Sequence, residues 1–433
     1  MELFDKVKNF TIAREVQKAG LYPYFHTVES GQNAVVTCEG RRMIMMGSNS
    51  YLGLATDQRL KNAAIMATQK YGTGCVGSRF LNGTLDIHEQ LEKDLAEYIG
   101  KPAVIVFTTG MQVNLGVISA LVGKKDYIIA DKFDHASILD GCRLSAGMLV
   151  RFKHNDIDDF EHVLKSLPED AGKLVVVDGV FSMEGDVAPL DKLVPIAKKY
   201  GARFMVDDAH GVGVLGRCGR GTCDHFGLTD EVDLIMGTFS KSFASTGGFI
   251  AGDEDVIHYI KHHARALIFS AAPSPANVAS VIKALEIVKK DKKRIARLLK
   301  VSEYMRDKLK SIGFDTGSTT TPIIPVGIGD DMTAFKMWKR LFDKGVFVTP
   351  VVAPAVPPGR ALIRVSMMAS HTKKHVDEAC AAFKEVGEEL GIIQKGSGEK
   401  VTPKPQRMTK MWNALNGWMK NLWNWRRSKR PMN

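Results

Sequence analysis

The stretch Asp233-Leu-Ile-Met-Gly-Thr-Phe-Ser-Lys-Ser-Phe-Ala-Ser-Thr-Gly-Gly-Phe-Ile250 decides how the chain is read. Leu234, Ile235 and Met236 form an apolar strand that delivers Lys241 into small hydroxyl residues and glycines, and a second apolar segment begins at Phe249. Burying a free ammonium between two such segments is costly. Lys241 is therefore either snorkelling from a strand end into water or held in a pocket. In a pocket, desolvation lowers its pKa and makes its amine a Schiff-base former.

Two stretches upstream bear on that choice. Ala202-Arg-Phe-Met-Val-Asp-Asp-Ala-His210 is a short apolar strand ending in acids and a histidine, and Tyr127-Ile-Ile-Ala-Asp-Lys-Phe-Asp-His-Ala-Ser137 ends the same way. Ligands of α/β proteins sit at the carboxyl ends of parallel strands. Three such ends offering His135, Asp207 with His210, and Ser240-Lys241 match the needs of pyridoxal phosphate, whose aldehyde, ring nitrogen, ring face and phosphate each require a partner. Thr-Phe-Ser-Lys, Val-Asp-Asp-Ala-His and Asp-His-Ala-Ser together resemble the α-oxoamine synthase family of fold-type I pyridoxal-phosphate enzymes. Tyr71-Gly-Thr-Gly-Cys-Val-Gly-Ser-Arg-Phe-Leu-Asn-Gly-Thr84 and the segment around Lys241 are most similar to the bacterial subgroup that acts on L-serine and a long-chain acyl-CoA. The resemblance runs from about residue 20 to 390.

Length and composition agree with a globular enzyme. The 433 residues are 45% hydrophobic, enough for a large core and more than one domain. Six cysteines are scattered without a CxxC or a matching histidine pair, which suggests neither a zinc site nor a disulfide framework and fits a reducing cytoplasm. No apolar run approaches the roughly 20 residues of a spanning helix. The net charge of +11 is concentrated at one end: residues 394–433 carry ten Lys and Arg against Glu399 alone. The rest is nearly neutral, which removes the hint of a nucleic-acid partner.

In chain order, residues 1–60 read as an N-terminal segment with a hairpin turning at Glu39-Gly40. Residues 61–285 alternate helical and strand patterns, which predicts a mostly parallel sheet covered by helices in a large domain. Asp86–Ile99 has helical spacing with an acid in its first turn. The strand 103–107 runs into Thr108-Thr-Gly-Met111, a glycine-bearing helix start of the kind that binds anions. Strand-like residues 174–182 follow. A long helical run over 276–312 then leads into a smaller α+β domain, 286–393, with strands at 323–328, 346–349 and 362–368 and helices at 330–344 and 372–391. Within it Arg364 is either an edge residue facing water or a carboxylate clamp, because its planar fork binds carboxylates bidentately.

The resemblance supplies roles for individual residues. It implies that Lys241 carries the cofactor and takes the Cα proton, that Asp207 pairs with the ring nitrogen, and that His210 bonds the ring's phenolic oxygen. His135 stacks on the ring and orients the substrate carboxylate. Gly110, Met111, Thr238 and Ser240 cradle the phosphate, Ser182 lies beside the ring, and Ser270 reaches the partner's phosphate across a homodimer. Substrate falls to Asn49 or Ser50 in the Ser48–Leu54 turn, to Ser78, and to Arg364 as the clamp. The implied reaction is a decarboxylative condensation of L-serine with a long-chain acyl-CoA. Other members of the family, acting on glycine or alanine, and a catalytically silent regulatory subunit are the alternatives.

The tail lies beyond the resemblance. Residues 394–407 are polar and broken by Gly and Pro, which predicts a linker. At 100° per residue, Met408, Met411, Trp412, Leu415, Trp418, Met419, Leu422, Trp423 and Trp425 fall within an arc of about 160°. Four of the five tryptophans are here, followed by Arg426, Arg427, Lys429 and Arg430. The pattern predicts a basic amphipathic helix over 408–433, lying on an anionic membrane surface or docked on the enzyme itself.

Overall fold

The computed structural model describes residues 2–394, so the linker and tail expectations lie outside the described residues. The chain divides into two compact units, one of Asn49–Leu299 with Met368–Ser370 and one of Met1–Ser48, Lys300–Met367 and the segment from His371. The divisions fall at 48/49 and 299/300 rather than at 60/61 and 285/286. Pairing explains why the start of the chain does not stand apart: Arg41–Met45 lies parallel to Val346–Phe347.

The larger unit is built on a seven-stranded sheet in the spatial order Ala103–Phe107, Gly248–Gly252, Leu234–Thr238, Arg203–Asp207, Lys173–Asp178, Tyr127–Asp131, Met148–Phe152. Gly248–Gly252 is antiparallel to both neighbours and the other pairings are parallel, so the expected mostly parallel sheet is present. The three strands Lys173–Asp178, Leu234–Thr238 and Gly248–Gly252 are buried along their whole length. That burial is why their sequences read as continuous apolar runs instead of alternating. One consequence positions the site: the carboxyl ends of six parallel strands lie on one edge of the sheet.

Helix signals hold where the local chemistry is strong. Asp86–Ile99 buries His88, Leu91, Leu95, Tyr98 and Ile99 on one face and ends at Gly100 with φ 85°. The hairpin Val35–Cys38 with Arg41–Met45 turns through Glu39 and Gly40, at φ 49° and 71°, the left-handed pair that a two-residue turn requires. Two expectations need correction. The run 276–312 is two helices, Pro275–Lys290 and Lys292–Ser311, interrupted at Asp291, whose ψ of 70° is not helical. The strand expected over 174–182 spans Lys173–Asp178, and the chain then turns through Gly185 at φ 70°.

In the smaller unit, Ala361–Ser366 is the central strand between Ile323–Gly329 and Thr349–Val351. The helices Asp331–Asp343 and Lys373–Glu389 also belong to this unit.

The loop 77–84 is fixed by a buried ion pair. Arg79 donates from Nη1 and Nη2 to the two carboxylate oxygens of Glu92 at 2.7 and 3.1 Å, and Glu92 also accepts the Val106 N–H at 2.9 Å. With the two side chains only 5% and 14% exposed, removing one partner leaves a buried charge. Arg79→Met is expected to destabilise the protein by roughly 3–5 kcal/mol, and Arg79→Met with Glu92→Met by much less. Urea unfolding of the single and double variants checks this; equal losses would contradict it.

Candidate active site

A cavity of about 310 Å³ opens at the carboxyl edge of the large sheet, and almost every element bordering it contributes from a strand end. Thr109, Gly110 and Met111 come from the helix start after Ala103–Phe107, and His135 and Ser137 from the cap and first turn of the helix Ala136–Leu144 that follows Tyr127–Asp131. Asp178 and Ser182 follow the next strand; Asp207, Ala209 and His210 follow Arg203–Asp207; Thr238, Ser240 and Lys241 follow Leu234–Thr238. Nine of the sequence-predicted residues thus share one cavity: Gly110, Met111, His135, Ser182, Asp207, His210, Thr238, Ser240 and Lys241. Lys241 is half-buried, neither enclosed by the two strands nor extended into bulk water.

The floor is a hydrogen-bonded chain. Asp207, at 3% exposure, accepts from Asn114 Nδ2 at 2.7 Å and from the Ala209 N–H at 3.1 Å. The same Asn114 amide donates to Ser137 Oγ at 2.8 Å, and Ser137 Oγ lies 2.7 Å from His135 Nδ1. The backbone N–H of Ser137 also donates to His135 Nδ1, at 3.2 Å. An N–H group cannot accept, so Nδ1 carries a lone pair and the proton of the neutral ring resides on Nε2. His135 is exposed by surface area only because the cavity itself opens over it; burial among protein atoms pulls its pKa below the ordinary value, Asp207 opposes this and the Lys241 ammonium adds to it. On the other side, His210 Nδ1 and the Tyr51 hydroxyl lie 2.6 Å apart, and Tyr51 is fully buried.

Acids crowd the strand ends. Burial, with the neighbouring carboxylates, drives Asp178 and Asp134 well above the usual carboxylate range. Asp178 Oδ2 accepts the His135 N–H at 3.1 Å, and Asp134 accepts the N–H groups of Asp131 and Asp178 at 2.7 and 2.9 Å. Both acids are thus held toward their protonated forms, and a cation brought into the site would draw them toward ionisation.

The phosphate-binding expectation rests on a helix N-terminus. Thr109 caps the helix Gly110–Leu121, and a Cβ on Gly110 would meet Thr238 Oγ1 at 2.7 Å, so only glycine lets the helix start this close to that hydroxyl. The first N–H groups of a helix have no partner within it.

Other predicted residues do not line this cavity. Asn49 and Ser50 lie in the turn before Tyr51, with Asn49 Oδ1 accepting from the Tyr51 hydroxyl at 3.4 Å. Ser78 is buried and bridges to Ala271, and Ser270 Oγ accepts from Gln112 Nε2 of its own chain at 3.0 Å. Arg364 belongs to the smaller unit, where the edge-strand alternative is overturned: it is 6% exposed in the central strand and donates to Ser366 Oγ at 2.6 Å. Residues not singled out from sequence are Asn114, Ser137, Tyr51 and Asp178. Asn114 stands four places after Gly110 and so on the same helix face, a spacing that could have found it.

With this geometry in hand, the relatives are informative. The chain matches the aminotransferase class I and II family over residues 41–383. A serine palmitoyltransferase of Sphingobacterium spiritivorum is 53% identical over 378 residues, 87% of this chain and 95% of that one. An 8-amino-7-oxononanoate synthase of Thermoanaerobacter pseudethanolicus is 44% identical over 380 residues, 88% and 96% of the two chains. A lysine-to-alanine variant of the serine palmitoyltransferase of S. paucimobilis, solved with a bound PLP-myriocin aldimine, superposes with a TM-score of 0.87 at 34% identity, covering 91% of this chain and all of that one. The fold is that of the fold-type I pyridoxal-phosphate transferases. The chain belongs to the aminotransferase class I and II family and, within it, to the α-oxoamine synthases.

The electrostatics of His135 give a measurable consequence. In cofactor-free protein its ring is expected to titrate below the ordinary histidine value of 6.5, and Lys241→Met is expected to raise that midpoint because one opposing cation is gone. NMR titration of the His135 ring checks both; a midpoint that stays put or falls in the variant would contradict the account.

Proposed function

We propose that this protein is a pyridoxal-phosphate-dependent acyltransferase that condenses L-serine with a long-chain acyl-CoA, releasing CoA and CO2 and forming 3-oxosphinganine. The observation that carries the reading is the convergence of Lys241, Asp207, His135 and His210 on one cavity. The donor set fits the cofactor: an amine for its aldehyde, a buried carboxylate for its ring nitrogen, and a helix start with hydroxyls for its phosphate. When bound, pyridoxal phosphate supplies an electron sink for bonds broken at the substrate Cα.

The chain's own residues then divide the work. Lys241 would hold the cofactor through its amine and, as a free amine beside bound serine, would take the proton from Cα. Asp207, fixed by Asn114 and the Ala209 N–H, keeps the ring nitrogen protonated through its opposite charge. His135, its Nδ1 held by Ser137, would present Nε2–H to the substrate carboxylate beside the bound cofactor. Ala209 is small enough for the ring to lie beside it, Ser182 borders it, and His210 bonds the phenolic oxygen. Gly110, Met111, Thr238 and Ser240 bind the phosphate. Asn49 or Ser50, with Ser78, contact substrate, and Arg364 clamps its carboxylate. Arg364→Ala should weaken serine binding by on the order of 2–4 kcal/mol and leave acyl-CoA binding intact. Serine titration of the holoenzyme reads this, and an unchanged affinity would assign the carboxylate to another residue.

The working assembly is a homodimer in which Ser270 serves the partner's phosphate. Val76, Leu81 and Phe269, exposed at 95%, 77% and 72%, surround the Ser78–Ala271 bridge and offer a second copy an apolar face. Light scattering should give the mass of two chains.

The basic, tryptophan-rich segment 408–433, which lies outside the described residues, binds the cytoplasmic face of an anionic membrane, where each basic residue adds roughly 1 kcal/mol. Among the described residues no helix is long and apolar enough to cross a membrane. Both a long-chain acyl-CoA and a sphingoid product partition into lipid, which favours a surface-bound enzyme. Truncation after Ile393 should abolish sedimentation with anionic vesicles while sparing activity on soluble substrate; equal sedimentation of both forms would refute the assignment.

The reaction is tested by offering serine, glycine and alanine in turn with acetyl-, pimeloyl-, succinyl- and palmitoyl-CoA and following thiol release. Serine with palmitoyl-CoA should be the fastest pair. Alanine with pimeloyl-CoA as the fastest would make the chain an 8-amino-7-oxononanoate synthase instead, the activity named for the 44% identical relative.

A further inference from the structure

His154 follows the edge strand Met148–Phe152 and lines no part of the cavity, yet both of its ring nitrogens face acids. Nδ1 lies 3.0 Å from Asp131 Oδ1 and Nε2 lies 2.9 Å from Asp186 Oδ2. A neutral ring has one donor and one lone pair and would turn that lone pair on one carboxylate; only the imidazolium donates to both. Burial alone would depress its pKa, but the hydrogen bonds and charges of Asp131 and Asp186 prevail and raise it to about 10. The ring is also boxed in, stacked on Phe133 at 4.3 Å and met edge-on by Phe181 at 4.4 Å. Asn155 doubles the tie, its N–H on Asp131 Oδ2 at 2.9 Å and its amide on Asp186 Oδ2 at 2.8 Å.

These contacts fall on the two segments that carry cavity residues. Asp131 and Phe133 lead into His135, while Phe181 and Asp186 bracket Ser182. We propose that His154 is a positioning residue: bonded to Asp131 and Asp186 at once, it fixes the loop presenting His135 relative to the turn presenting Ser182. Asp131 is 1% exposed and stands beside the buried Asp134, so without the cation it would keep only the neutral N–H donors of Phe133 and Asn155. The loop would then move outward, taking His135 with it. His154 itself exchanges no proton with substrate. The inference rests on the proposed reaction for its kinetic readout alone.

The test compares His154→Gln, the near-isosteric Asp186→Asn, and the two combined, each as holoenzyme. Turnover of serine with palmitoyl-CoA is measured with the visible circular dichroism of the bound cofactor. Amide hydrogen exchange, which needs no turnover, is followed over residues 131–135 and 181–186. Each single variant should retain cofactor and an acyl-CoA KM near wild type, lose about 100-fold in kcat, the size expected for a displacement of about 1 Å, and change the dichroic band. Exchange should accelerate in both loops together, and the double variant should be no worse than either single one. A purely stabilising histidine would lower the melting temperature and leave kcat and the band unmoved; that result overturns the proposal. If His154→Gln does not fold, Asp186→Asn decides by the same criteria. Should the wild-type protein show no turnover, the functional reading fails and hydrogen exchange alone judges the clamp: coupled acceleration supports it, and acceleration in one loop or neither overturns it.

Discussion

The large unit depends on one electrostatic constraint: its sheet ends in buried acids. Parallel strands finish side by side, and here Asp131, Asp178 and Asp207 finish three adjacent ones, with Asp134 close behind, all at 5% exposure or less. So many carboxylates in a poorly solvated space cannot all ionise without counter-charge. Backbone and amide donors satisfy part of the demand, notably Asn114 and the N–H groups of Asp131, Phe133, His135 and Asp178. Lys241 approaches from one side and the His154 cation from the other. The arrangement leaves a cavity whose field favours a protonated ring nitrogen, and that single property suits it to a pyridine cofactor.

The same constraint explains how much was legible beforehand. Lys241, Asp207, His135 and His210 stand out because each interrupts or ends an apolar run, and a parallel sheet gathers run ends to one edge. Asn114 and Ser137 were not singled out because they sit inside helices or their caps, where polar residues are ordinary. What singles them out is the partner they meet across the fold, 93 residues away for Asn114 and Asp207. Tyr51 lies 159 residues from His210, and no local pattern announces that contact. The break at Asp291 was hidden for a different reason. Both flanking segments have good helical periodicity, and one residue at ψ 70° leaves almost no mark on composition.

Arg364 shows how burial can reverse a local reading. An arginine among Leu362, Ile363 and Val365 is equally at home on an edge strand; the central position of Ala361–Ser366 removes that option and leaves a buried guanidinium bonded to Ser366. A buried arginine with a hydroxyl partner still has donors in a fixed fork, which is the property a carboxylate clamp needs. The tail poses the opposite case. Its apolar arc and basic end are explicit in sequence, and nothing in the folded body is required to read them.

The claim on which the account stands is that the cavity at the sheet edge carries pyridoxal phosphate on one amine. Reducing the purified protein with borohydride, digesting it and mapping the modified peptide by mass measures this directly. The account predicts one phosphopyridoxyl group per chain, on Lys241 within the segment that follows Leu234–Thr238. A modified peptide elsewhere, or a cofactor bound but never trapped, would contradict it.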